Sequence, residues 1–190
     1  MEEKIYTNIL DYLISKDYVL NADRDLYLYA LKILFRGFMN VTAVLIMGLL
    51  LGMLKESIFM FFSFFLLRKF AGGLHSDKYI NCFISSLFIS IFGLLLIKNF
   101  WFVSKYLFIT IMISSSLLII GCAPVKHPNK TVSNKEAKVF KIVASTLSIA
   151  ICILSTIMIL SDCFEKISYS MGTGIIISSV LMICGKIKYS

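Results

Sequence analysis

The stretch INCFISSLFISIFGLLLI, residues 80–97, runs for 18 residues without a charged side chain. An α-helix rises about 1.5 Å per residue, so a run of this length comes close to crossing a hydrocarbon core about 30 Å thick. Five further apolar runs flank it, at 38–54, 57–67, 100–121, 142–161 and 167–184. With 58% hydrophobic residues, 16% charged residues and two prolines, the chain is too apolar to keep a hydrated surface around a soluble core. The predicted fold is therefore all-α: a polytopic membrane protein of about six membrane segments. The 57–67 run is the short one, with 11 residues before Arg68 and Lys69. It spans fully if those two side chains snorkel and the helix reaches about Ala71; otherwise it is a half-membrane or re-entrant element.

No Pro-, Gly- or Ser-rich linker interrupts the chain, which reads as a single membrane domain over 1–190. Residues 1–37 form its amphipathic N-terminal region and 38–190 its helical bundle. Ile5, Ile9 and Leu13 recur at i+4, and Leu26, Tyr29, Ala30, Ile33 and Leu34 follow a helical stripe, which predicts two amphipathic helices. Asn21 is the expected N-cap of the second. The pair fits an interfacial position on the bilayer, and equally a position packed on the loops of the same protein. Residues 1–37 lack the basic, apolar and small-residue succession of a signal peptide, so the mature N-terminus is expected to be Met1.

The net charge of +8 sits in short clusters between apolar runs, a pattern of inter-helix loops beside anionic headgroups and not of nucleic-acid binding. With six crossings and the N-terminus inside, fifteen of the nineteen basic residues fall on the cytoplasmic side, which predicts cytoplasmic termini. Cys82, Cys122, Cys152, Cys163 and Cys184 are odd in number and lie within or beside apolar runs, so they read as reduced thiols and not as a disulfide framework. No repeat of 20 to 50 residues is visible and the spans hold almost no acidic side chains, which weighs against a transporter built from repeats or an ion-coupled pump.

Polar and conformationally special residues concentrate in RKFAGGLHSDKYINC, residues 68–82. Gly72 and Gly73 permit a sharp reversal, and Ser76 or Asp77 can cap the helix that follows. Cysteine acts as a nucleophile only as thiolate, so Cys82 needs a base or cation nearby, and His75 can supply one. In one continuous helix the two would be separated by about 10 Å along the axis, beyond hydrogen-bond reach. The catalytic reading therefore requires the helix to break, with His75 in the turn. His127 is a rival base. A metal site built from His75, Cys82, Cys122 and His127 is disfavoured, because the intervening six and four residues are looser than the usual cysteine pairs. No metal or cofactor is expected.

The pattern Arg68-x4-Gly73-x-His75-x6-Cys82, with Gly121-Cys122-Ala123-Pro124 entering a lysine-rich loop, resembles the accessory gene regulator protein B (AgrB) family of Gram-positive bacteria. Length, span distribution and the amphipathic N-terminal region match as well. The resemblance implies a membrane cysteine endopeptidase that cleaves a quorum-sensing precursor peptide (AgrD) and helps close it into a thiolactone or lactone. It implies Cys82 as nucleophile, His75 as general base, Arg68 and Gly73 as supporting positions, and a homodimer. Arg68 reads equally as a snorkelling border residue, and Asp77 reads first as a cap and only second as a group orienting His75. The Lys126–Lys141 loop, with Lys126 and Lys130 at its start, either anchors topology or attracts an acidic region of the precursor. The different-class alternative is a peptide exporter or other transporter without covalent catalysis.

Overall fold

The computed structural model describes residues 2–16, 18–73, 79–99, 104–125, 133–162 and 164–189. Among them are seven α-helices: α1 (Glu2–Ser15), α2 (Arg24–Leu50), α3 (Leu54–Ala71), α4 (Tyr79–Lys98), α5 (Lys105–Cys122), α6 (Asn134–Leu160) and α7 (Glu165–Tyr189). No strand occurs among the described residues. Helices α2, α4, α5, α6 and α7 are each long and apolar enough to cross a membrane, so the protein is a multi-pass, all-α membrane protein.

Helix α3, which contains the 57–67 run, is not among those five. It continues unbroken through 18 residues, taking in Lys55 and Glu56 at its start and Arg68 and Lys69 in its last turn. That length corresponds to about 27 Å. The charges belong at its ends for a physical reason: Glu56 lies in the first turn and the two cations in the last, each favoured by the helix dipole. Its inner face is Ser57, Met60, Ser63, Leu67 and Ala71, all buried, while Ile58, Phe59, Phe62 and Phe65 point outward.

The chain divides into two compact units, residues 1–43 and 44–190. In the first, α1 buries Tyr6 and Leu10, and Arg24 pairs with Asp11 at 2.9 Å. Tyr6 meets Phe35 edge to face, with ring centroids 5.6 Å apart. Two expectations are corrected here. The stripe over residues 26–34 does not belong to a separate amphipathic helix, because α2 passes through Gly37 and joins that stripe to the first span. One mid-helix glycine destabilises a helix by only about 1 kcal/mol, too little to stop propagation through an apolar run. Asn21 does not cap α2: it begins a 3-10 turn, Asn21–Asp23, from which α2 starts at Arg24.

The second unit is built around α7, which packs against α3, α4, α5 and α6. Close approach is possible because its inner face is small. A methyl group added at Gly174 would come within 2.8 Å of Ser63 Cβ and 2.9 Å of the Met60 carbonyl oxygen, and one at Gly172 within 2.7 Å of the Phe108 ring. In lipid, where apolar tails compete on equal terms with apolar side chains, such contact drives helix association. Buried hydroxyls satisfy themselves mostly on carbonyls one turn back, as Ser63 does on Phe59, Thr173 on Tyr169 and Ser178 on Gly174. One hydroxyl pair joins two helices: Ser116 on α5 and Ser148 on α6, 2.8 Å apart. At the far end of the bundle Lys105 pairs with Asp162 and ties the start of α5 to the turn after α6.

The expected Lys126–Lys141 loop is shorter than the charge pattern suggested. Ser133 caps α6 by accepting from the Glu136 N–H at 3.3 Å, and Glu136 Oε2 accepts from the Ser133 N–H at 2.9 Å. This reciprocal arrangement starts the helix eight residues before the apolar run at 142. Lys135, Lys138 and Lys141 accordingly lie on the first two turns of α6.

Candidate functional site

The last turn of α3 is the best-defined part of the site. The Gly72 N–H closes the helix on the Arg68 carbonyl at 3.1 Å, and the backbone then leaves the helical region, with φ of +75° at Gly72 and +147° at Gly73. These are conformations that side-chain-bearing residues adopt only with strain. Helix α4 begins afresh at Tyr79. No continuous helix covers 70–90, since the chain leaves the helix at Gly72 and Gly73.

Both glycines are also confined sterically. A Cβ at Gly72 would lie 2.8 Å from the Val125 carbonyl oxygen. At Gly73 it would lie 3.0 Å from Arg68 Nη1 and 3.3 Å from the Leu181 carbonyl oxygen on α7. The two family-pattern positions in this turn, Arg68 and Gly73, are therefore neighbours in space. The Arg68 guanidinium carbon sits 5.7 Å from the centre of the Phe64 ring, one turn back on the same helix, and its Nη1 is buried. An arginine held against an aromatic face is less free to wander than an ordinary border cation.

Two other helix ends meet this turn. The Val125 N–H donates to the Ala71 carbonyl at 3.0 Å, which joins the segment after α5 to the end of α3. Lys186, in the last turn of α7, brings its Nζ to 3.7 Å from Cys122 Sγ at the end of α5. Phe70 and Phe140 pack edge to face at 6.0 Å, so the start of α6 lies at this end as well. Lys69, Lys135, Lys138, Lys141, Lys186 and Lys188 make the end strongly cationic, with Glu136 as the acidic side chain among its described helical residues.

Cys82 lies in the first turn of α4 and is half-buried. Cys122 is likewise half-buried, Cys152 is buried within α6 and Cys184 is exposed. His75, Asp77, Lys126, His127 and Lys130 lie outside the described residues. Among the described residues no group of three His, Cys, Asp or Glu side chains is placed to hold a metal ion.

The sequence pattern did not reveal Val125, Leu181 or Lys186 as parts of this end. Leu181 sits in an apolar run, Lys186 resembles any terminal cation, and both lie more than 60 residues from the groups they touch. Gly72 was legible only as half of a flexible pair, whereas the structure gives it a specific neighbour.

Comparisons with known proteins agree on one family. The sequence model of the family described as accessory gene regulator B matches residues 6–185. An AgrB-like protein of Clostridium perfringens strain 13, numbered 2 in that strain, is 27% identical over 124 residues, 62% of this chain and 58% of the relative. An AgrB-like protein of C. perfringens strain SM101 has the same identity and coverage, and a further one of strain 13 is 27% identical over 125 residues, 64% of this chain and 65% of that protein. The chain thus matches somewhat under two thirds of each relative's length. No solved structure matches it.

Proposed function

The chain belongs to the accessory gene regulator B family, and on that footing we propose that it is a membrane-embedded cysteine endopeptidase acting on an AgrD-like quorum-sensing precursor. The observation that carries the reading is the helix break at Gly72–Gly73, with Arg68 packed beside it and Cys82 in the first turn of the next helix. His75 is two residues beyond Gly73, and an extended chain reaches at most about 7 Å in two residues. His75 is therefore tethered near the turn that Arg68 and Gly73 define.

In the proposed reaction His75 removes the thiol proton and the Cys82 sulfur attacks a backbone carbonyl carbon near the precursor's C-terminal part. The C–N bond breaks, the imidazolium returns its proton to the departing amine, and a thioester joins the N-terminal part to Cys82. An internal Cys or Ser of the bound peptide then attacks the thioester carbonyl, closes a thiolactone or lactone, and regenerates the Cys82 thiol. Thioester exchange is nearly balanced in bond energy, so the enzyme chiefly has to exclude water and hold the peptide nucleophile close. A site at the edge of a bilayer suits both tasks. In this reading Arg68 holds a substrate carboxylate or the developing oxyanion, and Asp77 caps α4 or steadies His75. Lys126 and Lys130, with the lysines of early α6, supply a field for an acidic part of the precursor. In this reading residues 1–190 act as one membrane domain, the protein works as a homodimer, and the charge bias places both termini and the site at the cytoplasmic face.

The test is to incubate membranes holding the protein with its precursor and to look by mass spectrometry for a hydroxylamine-labile adduct on Cys82. Cys82→Ala and His75→Ala abolish cleavage while the protein still inserts. Undiminished cleavage by both variants refutes the assignment. Peptide transport that survives Cys82→Ala without any adduct favours an exporter instead.

A further inference from the structure

The motif Gly121-Cys122-Ala123-Pro124 has no chemical task in the reaction above, yet the segment it opens is fastened to the catalytic turn. We infer that the backbone of Val125 is a strut that positions the catalytic turn, with Gly72 as the residue that admits it; the inference rests on the endopeptidase reading.

The contact has two sides. Val125 N–H donates to the Ala71 carbonyl at 3.0 Å, capturing an acceptor that the end of α3 leaves unused. The Val125 carbonyl oxygen lies against Gly72 so closely that a Cβ there would stand 2.8 Å from it, with the Val125 nitrogen at 3.4 Å. The two backbone polar groups of one residue, its N–H and its C=O, thus meet two consecutive residues, Ala71 and Gly72. The anchor beneath it is firm: Ala71 and Ala123 are both buried in the main apolar cluster, and Val125 packs against that cluster. The obstruction at Gly72 is backbone, which cannot swing aside as a side-chain tip can.

The consequence for catalysis is directional. Gly73 is pressed by the Leu181 carbonyl and by Arg68, so the strut and α7 together hold the two glycines that end α3. His75 follows two residues later. Misplacement of a catalytic group by about 1 Å can lower a rate by about a hundredfold, so a strut of this kind acts on turnover and not on substrate binding. Gly72 and Val125 are positioning residues in this account, and they touch no substrate.

The experiment uses the full chain in membranes with its precursor peptide. Val125→Pro removes the N–H donor, Val125→Ala keeps it, and Gly72→Ala drives a methyl group into the Val125 carbonyl. The readouts are kcat and KM for cleavage, and the pH–rate profile of Cys82 alkylation by iodoacetamide, followed at that cysteine by peptide mass spectrometry. Val125→Pro and Gly72→Ala are expected to lower kcat by about tenfold or more with KM little changed. They also move the alkylation profile to higher pH, in the direction taken by His75→Ala, while Val125→Ala behaves as the parent. Two variants that reach the strut from opposite sides guard against a folding artefact in either, and alkylation needs no turnover. Parental kcat and an unmoved profile in inserted Gly72→Ala or Val125→Pro overturn the strut. A fall in kcat with an unmoved profile overturns it too, because it marks general damage. Failure of the endopeptidase reading registers separately, as cleavage that persists in Cys82→Ala.

Discussion

Replacing Gly174 by alanine tests whether backbone-close packing of α7 on α3 holds the bundle together. The added Cβ would stand 2.8 Å from Ser63 Cβ, 2.9 Å from the Met60 carbonyl oxygen and 3.0 Å from the Phe64 nitrogen. Ordinary contact begins near 3.4 Å, and all three obstacles are backbone or the first atom of a short side chain, so α3 and α7 must part by about half an ångström. Overpacking of this kind destabilises by about 1–3 kcal/mol. Alanine also favours the helix by about 1 kcal/mol over glycine, which offsets part of the loss. Gly121→Ala removes that ambiguity: its Cβ enters open space, so it carries the helix-propensity gain alone. The difference between the two variants isolates the packing effect at about 1–3 kcal/mol, or roughly 5- to 150-fold in the unfolding equilibrium. Reversible unfolding in mixed micelles containing SDS, followed by far-ultraviolet circular dichroism, measures it. If Gly174→Ala proves as stable as Gly121→Ala, the helices can slide apart freely and the small-residue account of the core is wrong.

Two further outcomes follow from the same structure. Ser133→Ala removes the capping acceptor of α6 and should destabilise its first turn by about 1 kcal/mol; faster amide hydrogen exchange at residues 134–137, with the rest of α6 unchanged, is the expected signature. Ser116→Ala and Ser148→Ala each sever the α5–α6 hydroxyl pair. Each should lower stability by about 0.6 kcal/mol, and the double variant should be little worse than either single one, since the pair shares one bond; additive losses would place the hydroxyls in separate interactions.

Much of the site's logic was legible in residues 68–82, because a glycine pair between two apolar runs leaves the chain few choices. Gly72 and Gly73 do break the helix, and α4 does begin in time to put Cys82 in its first turn. Helix ends were read less well where a local hydrogen-bond pattern outranked hydropathy. The Ser133–Glu136 capping box carried α6 back past three lysines, and apolar propagation carried α2 through Gly37.

By itself the sequence determined that the chain is a stack of membrane-crossing helices and where the polar, glycine-bent junction after α3 lies. Both follow from local physics: lipid offers backbone groups no partners, so apolar runs must become helices, and a glycine pair releases the helical register. Only the tertiary structure decided which groups gather at that junction. Val125, in the segment after α5, and Leu181 and Lys186, on α7, come from far along the chain, and their places depend on α7 sinking its small face against α3 and α5. That packing is a property of complementary surfaces, which no single run of residues encodes.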